Sequence, residues 1–328
     1  MFRIVRNIHP LKKKQPKLIA YLEPHLHPSI ENTRSGFTDA LTSVRSLDCS
    51  FMLFNTQGNQ EQKMNTALYH LYDSKPDLVF SIGMRCTRKA VEYMNHNKKK
   101  TPLVFAGVHQ PLISEITGHG EMSDAWVTGL AGEVSNYRMI MSRLKAITAG
   151  VQRIGLLFSP SSPIVANPDE RCAQIIREIE ECDMVVIPIS INNEYDLTKN
   201  LLPHIKNLDA VLMTRDGAVV QLVRSLSKMC DAYDVILCSS DEGSVRLGAD
   251  VGFGPVDYMI GQEAAQKALE IFLDGASPAA VPVTIFNQNL ECFIHPATFT
   301  RKKRGMLALE QVFRVERPII VHPYIALC

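Results

Sequence analysis

The 328-residue chain has a single tryptophan and a formal net charge of +1, so neither sign of charge prevails. Such a balance gives no global attraction to nucleic acid or to an anionic membrane surface, and no nucleic-acid partner is expected. The basic clusters at residues 12–14, 98–100 and 301–304 lie near chain ends or in a turn and read as solvated surface. No apolar run reaches membrane-spanning length. The eight cysteines form no C-x-x-C and no zinc-type spacing, so neither a disulfide framework nor a structural zinc is expected; Cys172/Cys182 and Cys230/Cys238 read as core thiols. G-x-S-x-G, a P-loop and a G-x-G-x-x-G after a strand are all missing, which leaves no recognisable catalytic set. The opening MFRIVRNIHPLKKKQPK has no continuous apolar core and no small-residue cleavage site, and it is not expected to serve as a secretory signal.

What is present is alternation. Apolar strand candidates KLIAYLEP (17–24), CSFMLFNT (49–56), DLVFSIG (77–83) and PLVFAGV (102–108) are separated by helical spacing over 29–41, 60–72 and 87–95. A join near 126–132 is followed by a second round. Its helices span 132–147, 168–181, 194–205 and 218–233, and its strands are RIGLLFSP, MVVIPIS, DAVLMT and VILCSS. Continuous apolar strands alternating with helices mark parallel sheets covered on both faces, so the chain is expected to be α/β with two open sheets. Open sheets bind ligands beyond the carboxyl ends of their strands. The loops there read EPHLHPS (23–29), GMRCT (83–87), GVHQP (107–111), SPSSP (159–163), TRDGA (214–218) and SSDEGS (239–244).

Several ordered segments resemble the ABC-transporter substrate-binding proteins of the aromatic and branched amino-acid uptake group. They are HPSIENTRSGFTDAL, PDLVFSIG, PLVFAGVHQP, RIGLLFSPSS, DAVLMTRDGAV, DEGSVRLGA and GFGPVDYMIGQEAAQKALEIFLDGASPAAVPV, within about 17–296. The resemblance implies the type I periplasmic-binding-protein fold: two Rossmann-like lobes with parallel sheets, joined by a multi-strand hinge. It places an N-terminal segment at 1–16, one lobe at 17–129 plus 256–281 and the other at 130–255 plus 282–300. The remainder, 301–328, is an extension beyond the match. It also implies a small-molecule solute, with an amino acid as the candidate class, bound between the lobes by hinge closure, with ABC permease subunits as partners and the cell envelope or periplasm as location. No enzyme activity and no cofactor are implied. A cytoplasmic ligand-sensing module on the same fold is the competing reading, in keeping with the absent signal peptide and the cysteine content.

Candidate ligand contacts fall in the strand-end loops. Asp216 aligns with a pocket aspartate of the family, and it equally suits a helix N-cap before Gly217. Ser240, Asp241 and Ser244 form the far wall of the cleft by resemblance. Ser159, Ser161 and the adjacent Ser162 either offer hydroxyls and backbone N–H groups to a carboxylate or merely build a turn. Met84-Arg85 and His109-Gln110 depart from the small or Thr-Asp-like residues of relatives, and Arg85 is either a carboxylate clamp or a rim charge. His27, with His25 and His109, is a ligand contact before it is a metal ligand, because no acidic or thiolate partner has suitable spacing. No metal site is expected.

Overall fold

The computed structural model describes residues 15–57, 61–109, 126–132, 136–160, 168–286, 290–299 and 307–323. The first lobe is built on β1 (Lys17–Glu23), β2 (Cys49–Asn55), β3 (Leu78–Ile82), β4 (Leu103–His109), β5 (Val127–Gly132) and β11 (Thr284–Phe286). They lie in the order β11-β5-β4-β3-β1-β2, all parallel. Every residue of β3 is buried, as a central parallel strand covered on both faces requires, whereas the edge strand β2 is half exposed. Helices α1 (Pro28–Thr42), α2 (Glu61–Asp73) and α3 (Met84–His96) follow the first three strands.

The second lobe carries β6 (Arg153–Phe158), β7 (Val185–Ser190), β8 (Ala210–Met213), β9 (Ile236–Ser239), β10 (Val251–Gly254), β12 (Glu291–Ile294) and β13 (Ile319–Ile320). Their order is β13-β12-β10-β9-β8-β6-β7, with β10 and β12 antiparallel. Its helices are α4 (Tyr137–Ala146), α5 (Pro168–Glu180), α6 (Gly217–Val220), α7 (Val223–Ala232) and α8 (Glu242–Arg246). The long helix expected over 218–233 is two, because Gln221 and Leu222 interrupt it. The segment expected as one helix over 194–205 holds a π turn, Leu197–Leu201, between two short α-helical pieces.

Helix α9 (Asp257–Leu273) returns to the first lobe and lies on α1. The approach is close because glycines meet it: a Cβ on Gly36 would run into the Tyr258 carbonyl, and one on Gly261 into the Thr33 carbonyl. The chain therefore passes between lobes three times, after β5, after β10 and after β11. Two expectations change here. Residues 284–286 pair with β5 in the first sheet, so the last crossing comes after Phe286 rather than near 281. Beyond 301, α10 (Leu309–Val315) buries Val312 in the second core and β13 pairs with β12, so this part completes the second lobe. Arg143 binds Glu316 at 2.7 Å and fixes it there.

Apolar packing respects the same division. Two clusters flank the first sheet, among them Leu22, Met64, Phe105 and Val91 on one face and Tyr21, Phe37, Phe80 and Ala264 on the other. Two more flank the second, with Ile140, Leu156 and Phe253 opposite Leu157, Val211 and Phe293. Among the described residues no apolar cluster spans both lobes.

Candidate functional site

The carboxyl ends of the two sheets face each other across a seam, and the first lobe meets it with the turn between β1 and α1. His27 is the N-cap of α1: its backbone is extended, and Nδ1 accepts the Ser29 N–H at 3.3 Å. Pro28 at the first helical position has no N–H to satisfy and is preset for the helix. Just before the turn, Glu23 is buried and its two oxygens accept from Arg34 Nη1 at 2.8 and 2.9 Å. Burial outweighs the guanidinium and pushes the Glu23 carboxyl up to about 7.

The second lobe answers with two strand-to-helix turns. After β8, Asp216 caps α6, accepting from Ala218 N–H at 3.0 Å and from Ser159 N–H at 3.3 Å. After β9, Asp241 caps α8, accepting from Ser244 N–H at 2.7 Å and the Ser244 hydroxyl at 2.8 Å. Both carboxylates are placed by the same chemistry, a short acidic side chain satisfying the free N–H groups of a first helical turn.

The seam between the lobes is polar. The Ser29 hydroxyl donates to Asp241 at 3.0 Å and accepts from Gly243 N–H at 3.1 Å. The N-termini of α1 and α8 thus meet with a carboxylate between them, which offsets the repulsion of two positive helix ends. Burial pushes the Asp241 carboxyl up, but the Arg215 charge and the Ser244 hydrogen bonds pull it down further, so it ends below its usual range. Arg215 crosses the seam to Asp257, the first residue of α9, at 2.7 Å. Burial raises the Asp257 carboxyl to about 6 against the pull of Arg215, with the Asp241 charge adding to the rise. Gly243 makes the contact possible, since a Cβ there would lie 2.5 Å from Ser29 N and 2.7 Å from His27 Cε1.

Of the candidates named from sequence, His27, Ser240, Asp241 and Ser244 are buried, and His27 lies against Gly243 beside the other lobe's Asp241 and Ser244. Asp241 and Ser244 spend their polar atoms on each other and on Ser29, and the Ser240 hydroxyl donates to the Met213 carbonyl at 3.4 Å. Asp216 is a cap, and the Ser159 hydroxyl pairs with Asn192 at 2.8 Å. Arg85, its side chain 20% exposed, binds Glu61 of α2 at 3.1 Å. Met84 is buried in the first lobe's core. His109 ends β4 opposite Gly132, but its side chain, and Gln110, Ser161 and Ser162, lie outside the described residues. Ser29, Arg215, Asp257 and Gly243 were missed. Asp257 sits in the first turn of a helix and Arg215 beside a capping aspartate, where nothing local marks an inter-lobe pair; only the repeated Asp-Gly and Asp-Glu-Gly turns hinted at the glycine.

His25 Nε2, His27 Nε2 and Asp257 Oδ2 are buried without a hydrogen-bond partner among the described residues. Burial lowers both imidazoles, His25 to about 4, so both are neutral at neutral pH. No group of three His, Cys, Asp or Glu among the described residues is placed to hold a metal, and the seven described cysteines are free thiols, five of them buried. A cavity of about 340 Å³ lies elsewhere, lined by Lys145, Gly150, Gln152 and Asp183 at the amino ends of β6 and β7. Capping groups and polar turns do not converge there, so the seam is the better candidate.

Two parallel-sheet lobes with three crossings and a polar seam define a two-lobed α/β binding protein of the type I periplasmic class. The profile described as "ABC transporter substrate binding protein" matches residues 19–315, and the chain belongs to that family. A relative named tyrosine-binding protein, from Clostridioides difficile (strain R20291), is 22% identical over 278 residues, 84% of this chain and 78% of its own. The Rickettsia prowazekii (strain Madrid E) protein RP367 is 22% identical over 316 residues, 93% and 94% of the two chains. Among solved structures, an ABC domain in complex with L-Trp from Streptococcus pneumonia aligns with a TM-score of 0.75 at 18% identity, covering 93% of this chain and 100% of that one. A conserved domain protein from Vibrio cholerae aligns with a TM-score of 0.76 at 18% identity, covering 93% and 99%.

Proposed function

We propose that this protein is the solute-binding component of an ABC import system, and that it closes its lobes over a free amino acid, passing it unchanged to a permease. The observation that carries this reading is the contrast between cores and seam. Each apolar cluster stays within one lobe, while the lobes touch through Ser29–Asp241 and Arg215–Asp257. An apolar joint would hold the lobes together permanently, but a polar seam exchanges its partners for water at small net cost and so opens and shuts. Three connecting segments between two rigid bodies are the arrangement in which hinge closure is expected. The tyrosine-binding relative and the L-Trp complex support an amino acid as the solute class. In that role the protein works on the outer side of the cytoplasmic membrane, where the solute is met before the permease.

Thermal unfolding in the presence of each of the twenty L-amino acids tests this. A true ligand at a hundred times its Kd adds about 2.7 kcal/mol, which raises Tm by several degrees. A flat profile across the whole set overturns the amino-acid reading.

A further inference from the structure

The turn into α1 leaves one hydrogen-bond donor with a fixed identity and nothing to bond. His27 Nδ1 accepts the Ser29 N–H, so the proton of the neutral ring resides on Nε2. That Nε2–H is buried and has no partner among the described residues, on a side chain only 6% exposed. An unpaired buried donor is costly, on the order of 1–3 kcal/mol, and such a group is kept where a ligand completes it. His25 sits beside it, with ring centroids 6.0 Å apart, and its Nε2 is likewise unpaired. Across the seam, a Cβ built on Gly217 would lie 3.7 Å from His25 Cε1, so the two imidazoles face the other lobe's turns after β8 and β9.

We propose that His27, through its Nε2–H, is the ligand-orienting donor of the cleft and takes a carboxylate oxygen of the bound amino acid, with His25 alongside. This rests on the solute-binding reading above and names the group within that site. An anionic oxygen is favoured over a neutral one because the positive end of a 15-residue helix begins at His27.

Two substitutions separate ligand binding from capping. In His27→Asn the amide oxygen stands in for Nδ1 and keeps the cap, but no donor reaches the Nε2 position. In His27→Gln the amide reaches that position and the cap is lost. Calorimetric titration of the full chain uses L-tyrosine and L-tryptophan, with tyramine and tryptamine as probes lacking the carboxylate. The expected result is wild-type Tm but at least tenfold weaker amino-acid binding for the Asn variant. The Gln variant melts earlier and binds more tightly than Asn, and the amines distinguish none of the three proteins. An Asn variant that binds as tightly as wild type overturns the role of His27. A wild-type chain that none of the twenty L-amino acids stabilises overturns the solute reading itself, and this inference with it.

Discussion

Asp241 carries a negative charge into the gap between two helix N-termini and thereby joins α8 to α1 through Ser29. The sequence marks Asp216 and Asp241 as polar residues of strand-end loops, and both are there. Their use was legible only as alternatives, because a ligand carboxylate site and an N-cap demand the same residue at the same place. Each also accepts a hydrogen bond from a residue more than fifty positions away, Ser29 for Asp241 and Ser159 for Asp216, which no local pattern marks. Glu23 offers a separate test. It binds its proton up to about pH 7 in the fold but only to about 4.5 in the unfolded chain, owing to burial that Arg34 does not fully offset and that Glu31 reinforces. The folded state therefore holds the extra proton between those values. Its contribution is fully present below pH 4.5 and is lost as pH rises through 7, on the order of 3 kcal/mol. His25, lowered to about 4, acts in the opposite direction over part of the same range. Glu23→Gln should flatten the fall in stability from pH 4.5 to 7.5 in urea titrations. An unchanged slope would show that Glu23 titrates normally.

At the level of elements, β1 to β4 appear within a residue or two of the positions read from their apolar runs, because continuous burial leaves an unmistakable local pattern. β5 and α8 leave no such local pattern, being short or glycine-rich, and their formation depends on neighbours, as does that of β11, which has three residues and exists by pairing with β5. The α1–α9 contact is of the same kind. GFTDAL and IGQEAA look like ordinary helix with a poor helix former in each, yet the glycines are what bring the two backbones together. Gly261→Ala gains helix propensity and still should destabilise the first lobe, by about 2–4 kcal/mol, because the added methyl meets a carbonyl rather than a flexible side chain. Equilibrium urea unfolding measures it, and a neutral or stabilised variant would mean that the helices pack further apart than the structure has them.

For the whole molecule, the consequence of separate cores is that lobe stability and lobe–lobe contact are independent quantities. Gly243 separates them experimentally. Valine there would strike Ser29 and His27 across the seam, and Gly243 belongs to none of the four apolar clusters. Gly243→Val should fold with near-native stability and weaken ligand binding by tenfold or more. Normal affinity would mean that closure does not bring α8 against α1. The most direct measurement is small-angle X-ray scattering on wild type and Gly243→Val, with and without the amino acid that stabilises the wild type. The radius of gyration of the wild type should shrink on saturation, and that of Gly243→Val should stay large. A wild-type profile that does not change, in a sample where calorimetry shows the solute fully bound, would contradict closure of the two lobes as the mode of binding.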